Sequence, residues 1–176
     1  MGAERIPINR APVLTLWAAV VAEKLGYERD SALSLGKAVA GLNAQSKGRM
    51  LGIYGPPRAK NDEAAKGGRG EELWVDLCGR RVPARRTEAG LRAVTGAEPV
   101  DPEPVERYLQ KSFGEHIESV RDAMEGLATR TGAQALAREA YALYERFRPA
   151  VPRGRAGWGA RGELDLDLLR SLGRSG

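Results

Sequence analysis

Residues 13–22 read VLTLWAAVVA and form the longest apolar stretch of the chain, interrupted only by Thr15. Pro12 precedes the stretch and suits the first turn of a helix, where the missing N–H would have no partner. The stretch ends at Glu23 after about half of the roughly 20 residues that a membrane span requires. It therefore predicts a buried helix over about residues 12–25, not a membrane anchor.

A second helix is predicted to follow directly. Gly26 supplies a C-terminal stop, and Asp30 or Ser31 can cap a helix whose apolar residues extend from position 32 to position 42. Gly36 and Gly41 weaken this helix unless another backbone packs closely against them. The sequence therefore predicts a helix pair at the N-terminal end.

Short apolar runs and a turn follow the helix pair. Residues 50–54 are apolar enough for a strand, and the glycine-rich and proline-rich residues 55–71 predict a mobile surface loop. Residues 72–78 and 81–86 flank a glycine-containing turn and predict a hairpin, with Pro83 placing the second run at a sheet edge. Thr87 and Glu88 can open a short helix through Leu91 and Val94.

The remainder of the chain predicts helices. Asp101 and Pro102 can start one, a second follows from Ile117, and a third follows Gly132. After an arginine-rich and glycine-rich arm at 149–162, a last helix would carry leucines at 164, 168 and 172, with Leu169 beside them. We predict an α+β, mainly α-helical fold. A unit at 1–96 holds the helix pair and basic hairpin, winged-helix-like in outline, and a helical unit at 97–176 could share its core.

Composition limits the chemistry. The 176 residues contain one histidine and one cysteine, so an intramolecular disulfide or a Cys–Cys zinc site has too few residues to form. A nucleophilic Cys78 would have only His116 to serve as its base. We interpret His116 as a surface histidine and Cys78 as a small core residue of the first hairpin strand. The loop at 66–70 lacks the phosphate-binding pattern GxxxxGK[ST]. We predict no cofactor, no metal and no catalytic residue, and we lean away from an enzyme.

The charge is uneven along the chain. The net charge is +5, and it is +5 over residues 46–96, −4 over residues 97–144 and +3 over residues 145–176. Twenty-two of the 28 basic residues are arginine, which suits a thermophile or a GC-rich genome. The N-terminal residues lack the apolar core of a secretory signal, so we expect a cytoplasmic protein with no membrane partner.

Residues 19–39 read AVVAEKLGYERDSALSLGKAV and resemble the helix-turn-helix pattern, with Ala22, then Gly26 four residues later, then the apolar Ala32 and Leu35. The resemblance covers 21 residues and implies a DNA-binding hairpin. An ordinary helical hairpin fits the same spacing. The exposed face of the second helix would offer Ser31, Ser34, Lys37 and Ala38, and none of these is the Asn, Gln or Arg that reads base edges.

Arginines around the hairpin complete a nucleic-acid hypothesis. A basic hairpin beside a helix pair is how winged helix-turn-helix proteins contact phosphates. We therefore predict a non-enzymatic nucleic-acid-binding or regulatory protein, and the residues expected to contact nucleic acid are Lys37, Lys47, Arg49, Arg69, Arg80, Arg81, Arg85 and Arg86.

Two alternatives stay open. One is a homo-oligomeric interaction module in which acidic and basic segments of different chains meet. The arm suits a homodimer contact through Arg153, Arg155, Trp158 and Arg161, because a tryptophan between glycines favours docking into a groove. The other is an enzyme with an arginine-lined pocket for an anionic substrate.

Overall fold

The computed structural model describes residues 5–50, 72–95, 98–149 and 161–174, with the backbone alone at 43–50, 72, 95, 161 and 174. Most of the predicted strand at 50–54, the predicted loop at 55–71 and nearly all of the arm lie outside the described residues, as do Arg69, Arg153, Arg155 and Trp158. The elements in chain order are β1 (Arg5–Asn9), α1 (Arg10–Lys24), α2 (Arg29–Met50), β2 (Glu72–Leu77), β3 (Arg80–Thr87), β4 (Gly90–Thr95), β5 (Glu98–Pro99), α3 (Pro102–Phe113), a 3₁₀ turn (Gly114–His116), α4 (Ile117–Thr131), α5 (Ala133–Phe147), β6 (Arg161–Asp165) and α6 (Leu166–Arg174). The predicted α+β class, with an N-terminal helix pair, a small antiparallel sheet and a C-terminal helical region, is confirmed.

Helix α1 is the centre of the core. Every residue from 12 to 22 is buried, because α1 is packed by α2, α3, α4 and α5 and also touches β1 and β2. Trp17 donates its indole N–H to the Ala140 carbonyl at 2.9 Å, and its ring meets Phe147 edge-on at 5.2 Å. The predicted buried helix is confirmed.

The helix pair forms around Gly26, whose φ of +110° ends α1 in a conformation that favours glycine. Helix α2 begins at Arg29, so Asp30 lies in its first turn, and the prediction that Asp30 or Ser31 caps the helix is wrong. The helix also continues to Met50, so Met50 is helical where a strand was expected to begin. Gly36 sits against the backbone of α1, which is the close packing that its place in a helix requires.

The predicted hairpin is confirmed as β2 and β3, which pair antiparallel from Leu77 opposite Arg80. Cys78 lies in the two-residue turn, not in the strand, and both Cys78 and Gly79 have positive φ, at 50° and 76°. Positive φ at both central positions matches the right-handed twist of the strands that the turn joins.

Strand β3 is internal in the sheet order β2-β3-β4-β5, so the prediction that Pro83 marks an edge strand is wrong. The β3–β4 register begins at Ala84 opposite Ala93, one residue beyond Pro83. Proline lacks an N–H, and it is accommodated here because this part of β3 pairs with β2 alone.

The short helix predicted from Thr87 is wrong, because Thr87 ends β3 and the chain turns back into β4. The Thr87 hydroxyl donates to the Gly90 carbonyl at 2.7 Å and accepts the Ala89 N–H at 3.2 Å. Gly90 has a φ of +126°. A threonine hydroxyl closing a turn in this way competes with helix formation.

The three predicted C-terminal helices are present as α3, α4 and α5. Asp101 caps α3 by accepting the Glu103 N–H at 3.2 Å, and Gly132 separates α4 from α5 with a φ of +87°. The buried residues of both predicted units join one hydrophobic cluster. The division at residue 96 stays a prediction.

The last predicted helix is partly wrong. Leu164 belongs to β6, which pairs antiparallel with β1 and sets Leu164 opposite Ile6. Asp165 then accepts the Leu168 N–H at 3.0 Å at the start of α6. In this last segment the buried leucines are Leu164, Leu166, Leu169 and Leu172, whereas Leu168 is 39% exposed. The four-residue spacing of leucines therefore spans a strand and a helix.

Candidate nucleic-acid interface

The two faces of the β2–β3 hairpin differ in burial. Val75 and Leu77 on β2, with Val82 and Ala84 on β3, are buried against the helices. The alternate positions point to the opposite side, because successive side chains of a strand face opposite ways. We call this side the outer face. Its members with described side chains are Trp74, Asp76, Arg81, Pro83 and Arg85, and the register also sets Glu72 at a position on this side, opposite Arg85.

Trp74 is the feature of the outer face that the sequence did not identify as a site. Its side chain is 54% exposed, and the register sets it opposite Pro83. The Arg81 guanidinium carbon stands 6.0 Å from the centre of the indole ring, within the range of a cation–π contact. The alternation of Trp74 with Val75 and Leu77 is the sequence signal that places it opposite the core.

Arg81 and Asp76 face each other across the hairpin, with Nε and Oδ1 3.7 Å apart. Both side chains are largely exposed, at 70% and 79%. Exposed pairs of this kind contribute little to stability and are screened by salt. The Arg81 guanidinium is therefore open to exchange its carboxylate for another anion.

The predicted hairpin arginines divide between the two faces. Arg81 and the half-buried Arg85 lie on the outer face. Arg80 and Arg86 share the alternation of Val82 and Ala84, so they flank the buried pair at the two ends of β3. Half-buried Arg80 and exposed Arg86 are therefore at the margins of the hairpin.

The helix α2 does not present the face that the helix-turn-helix resemblance implies. Ser31, Ser34 and Ala38, which we expected on an exposed face, are buried, and Lys37 is exposed among them. Lys37 points its ammonium at the Tyr108 ring of α3, 4.8 Å from the ring centre. The side chains of Lys47, Arg49 and Arg161 lie outside the described residues.

Ser34 explains how α2 is held. Its hydroxyl donates to the Val100 carbonyl at 2.7 Å and accepts the Ala93 N–H at 2.9 Å. This buried hydroxyl therefore joins α2 to β4 and to the segment before α3, where a DNA-reading residue would have to be exposed.

A cleft of about 660 Å³ opens between the start of α2, the β3–β4 turn and the start of α3. It contains one arginine, Arg92, which is buried and donates to the Leu91 and Ala89 carbonyls at 2.9 and 3.4 Å. The other ionisable lining residues are acidic: Asp30, Asp101, Glu103 and Glu106. This lining does not resemble the arginine-lined pocket of the enzyme alternative.

Glu106 at the rim of the cleft is already engaged. It accepts a hydrogen bond from Arg29 at 2.7 Å and lies 3.7 Å from Arg121. Burial alone would raise the pKa of Glu106, but the hydrogen bond and charge of Arg29 and the charge of Arg121, with a hydrogen bond from Gln110, hold that pKa below its ordinary value.

Cys78 is a poor nucleophile in the folded chain. Burial raises the pKa of the Cys78 thiol to about 12, so the nucleophilic thiolate is scarce at neutral pH. Across the described ranges, no group of three or more His, Cys, Asp or Glu side chains is arranged to hold a metal ion. Nor does the described part of the chain contain a helix of the length and apolarity needed to cross a bilayer.

The chain matches no protein-family model, no curated protein and no solved structure.

Proposed function

We propose that the protein is a non-enzymatic nucleic-acid-binding protein that contacts its ligand through the outer face of the β2–β3 hairpin. One observation carries the proposal: the half-exposed Trp74 and the exposed Arg81 lie together on a sheet face that points away from the core. Arginine supplies phosphate contacts, which contribute most of the sequence-independent affinity of nucleic-acid-binding proteins.

The sheet replaces the helix as the proposed contact element. Lys37 is the exposed side chain in the buried part of α2, and it is directed at Tyr108. A recognition helix needs a run of exposed polar side chains to reach base edges. A two-stranded ribbon, in contrast, can contact a groove or a backbone with the alternate residues of its open face.

The electrostatics of the outer face support the same ligand. Arg81 and Arg85 flank Pro83 at two residues to either side, so they lie about 7 Å from it along the strand. Two acidic positions oppose this charge, because the register sets Asp76 opposite Arg81 and Glu72 opposite Arg85. The ion pair between Asp76 and Arg81 is solvent-exposed and salt-sensitive. A phosphate can take the place of Asp76 without a buried charge being left unpaired.

The test is a salt titration of binding to fluorescein-labelled 20-base-pair DNA of random sequence. We expect binding at about 50 mM salt and a marked loss of affinity by about 200 mM, since phosphate contacts release counterions. The double variant Arg81→Gln/Arg85→Gln should bind more weakly and have a shallower salt dependence.

The matched control removes the same charge elsewhere. Arg130 and Arg138 are exposed on α4 and α5, so Arg130→Gln/Arg138→Gln changes the net charge equally and leaves the hairpin intact. Affinity should stay within about twofold of the unmodified protein. The proposal is overturned by an absence of binding to both duplex and single-stranded DNA at about 50 mM salt, or by an equal loss of affinity in the control.

A further inference from the structure

We infer that the outer face binds single-stranded nucleic acid, with an unpaired base stacked on Trp74. This inference rests on the proposed function and adds the strand state of the ligand. The inference depends on the contrast between the two described tryptophans. Trp17 is fully buried and its N–H is hydrogen-bonded, whereas Trp74 is 54% exposed on a strand.

Packing of the hydrophobic core does not explain why a tryptophan stands at position 74. Strand β2 packs through Val75 and Leu77, and these residues already fill the buried side of the strand. The indole faces the other way, toward Pro83 and Arg81. A large aromatic surface left open on a sheet, with a cation beside it, is the chemistry that accepts a flat, electron-rich ring next to a phosphate.

A duplex does not offer that ring. Its bases are stacked on one another, so a side chain approaching from the side reaches only their edges. Bases of a single strand can turn outward and stack on an aromatic side chain, while cationic groups follow the backbone. Trp74 and the flanking Arg81 and Arg85 together provide both parts of that arrangement.

The contact between Trp74 and Arg81 argues for this occupant over a second copy of the chain. The register sets Asp76 opposite Arg81 and Glu72 opposite Arg85, so acidic and basic positions are paired across the hairpin. Arg81 is the exposed arginine beside the exposed indole, and a base stacked on Trp74 brings its own phosphate close to that guanidinium.

The experiment compares dT20, U20 and a 20-base-pair duplex as ligands of the full chain at about 50 mM salt. We expect the single strands to bind more tightly than the duplex, with the two single-stranded arms separating DNA from RNA. Trp74→Ala should weaken dT20 binding by about 10-fold or more and duplex binding by less than twofold. Trp74→Phe should retain part of the affinity, because it keeps a stacking ring.

Fluorescence supplies a second readout. Titration with dT20 should quench the tryptophan emission of the unmodified protein, and the quenching should be much smaller in Trp74→Phe. Leu168→Ala is the matched control, because Leu168 is the other large apolar side chain exposed in the described chain and lies on α6. We expect that variant to bind dT20 unchanged. Its thermal unfolding midpoint and that of Trp74→Ala should stay close to that of the unmodified protein, since both side chains are exposed.

Failures of the two proposals are distinguishable. If the protein binds duplex and single strand alike and Trp74→Ala changes neither, the stacking inference is overturned while nucleic-acid binding stands. If no nucleic acid binds, both are overturned. If Trp74→Ala instead converts a dimer to a monomer in sedimentation, Trp74 is covered by a second copy and the inference is overturned.

Discussion

Gly36 of α2 lies against Thr15 of α1 so closely that a Cβ atom on Gly36 would stand 2.6 Å from the Thr15 carbonyl oxygen. The obstacle is backbone, which cannot move aside as a flexible side chain would. The crossing of the two helices therefore depends on the absence of a side chain at position 36.

We expect Gly36→Ala to lower the free energy of unfolding by about 1–3 kcal/mol, because overpacking outweighs the better helix propensity of alanine. Gly41 on the same helix has open space around it, so Gly41→Ala should raise the free energy of unfolding by about 0.5–1 kcal/mol. Urea denaturation of both variants measures the difference. A Gly36→Ala protein as stable as the unmodified one would contradict the close crossing.

Ser34→Ala should destabilise the protein by about 2 kcal/mol, because the Ala93 N–H and the Val100 carbonyl would lose the buried hydroxyl that joins them. The Ala93 amide should also exchange with deuterium faster in this variant than in the unmodified protein. Hydrogen exchange measured by mass spectrometry or NMR checks this. Unchanged protection at Ala93 would show that the hydroxyl is not its hydrogen-bond partner.

Cys78 should not react with a thiol reagent such as dithiobisnitrobenzoate at pH 8 while the protein is folded. The thiol is buried and its pKa is raised to about 12, so access and thiolate content are both low. One equivalent of thiol should react at once in concentrated urea, since the chain has a single cysteine. Rapid reaction without denaturant would place Cys78 at the surface.

The same shift makes stability depend on alkaline pH. The folded pKa of Cys78 lies above the ordinary thiol value of 9.0, so the unfolded chain loses the thiol proton first and stability falls as pH rises above about 9. The Cys78→Ala variant should lose less stability between pH 9 and pH 10 than the unmodified protein. Equal losses, measured by urea denaturation, would argue against a buried thiol.

Glu106→Gln should destabilise the protein by about 1 kcal/mol at pH 7, because Arg29 and Arg121 lose a carboxylate. The folded pKa of Glu106 is lowered, so its contribution is present above the ordinary value of 4.5 and is lost as pH falls through the folded value. The difference from the unmodified protein should therefore vanish in acid. Glu103→Gln, which removes a carboxylate from an exposed pair with Arg107, should have little effect at either pH.

Local sequence patterns predicted the parts of the fold that depend on residues close together in sequence. The apolar run around Trp17 predicted a buried helix, and the two short runs on either side of the turn at Gly79 predicted a hairpin. Contacts between distant residues were not predictable in this way. Strands β1 and β6 have five residues each, which is too few to show a periodicity that separates strand from helix. The two strands also lie near opposite ends of the described chain, so no local pattern indicates that they pair.

The sequence predicted only part of the candidate site, because alternation along a strand is a local pattern whereas the packing around that strand is not. Arginine content singled out the hairpin, and strand alternation can assign Arg81 and Trp74 to one face. Whether that face is open depends on where the helices pack, which alternation does not specify. The helix-turn-helix resemblance misplaced Ser31 and Ser34 because its spacing fixes the crossing of two helices, not what covers the second one.

The pairing of β1 with β6 sets an order of events during synthesis on the ribosome. Ile6 and Ile8 are synthesised well before their strand partners Leu164 and Gly162. The two isoleucines therefore remain without this partner strand while the helices and the hairpin that lie between β1 and β6 in sequence are translated. The small sheet is completed only after residues 161–165 have been made, and a nascent chain stalled before residue 161 is left with an unpaired apolar strand that a chaperone can recognise.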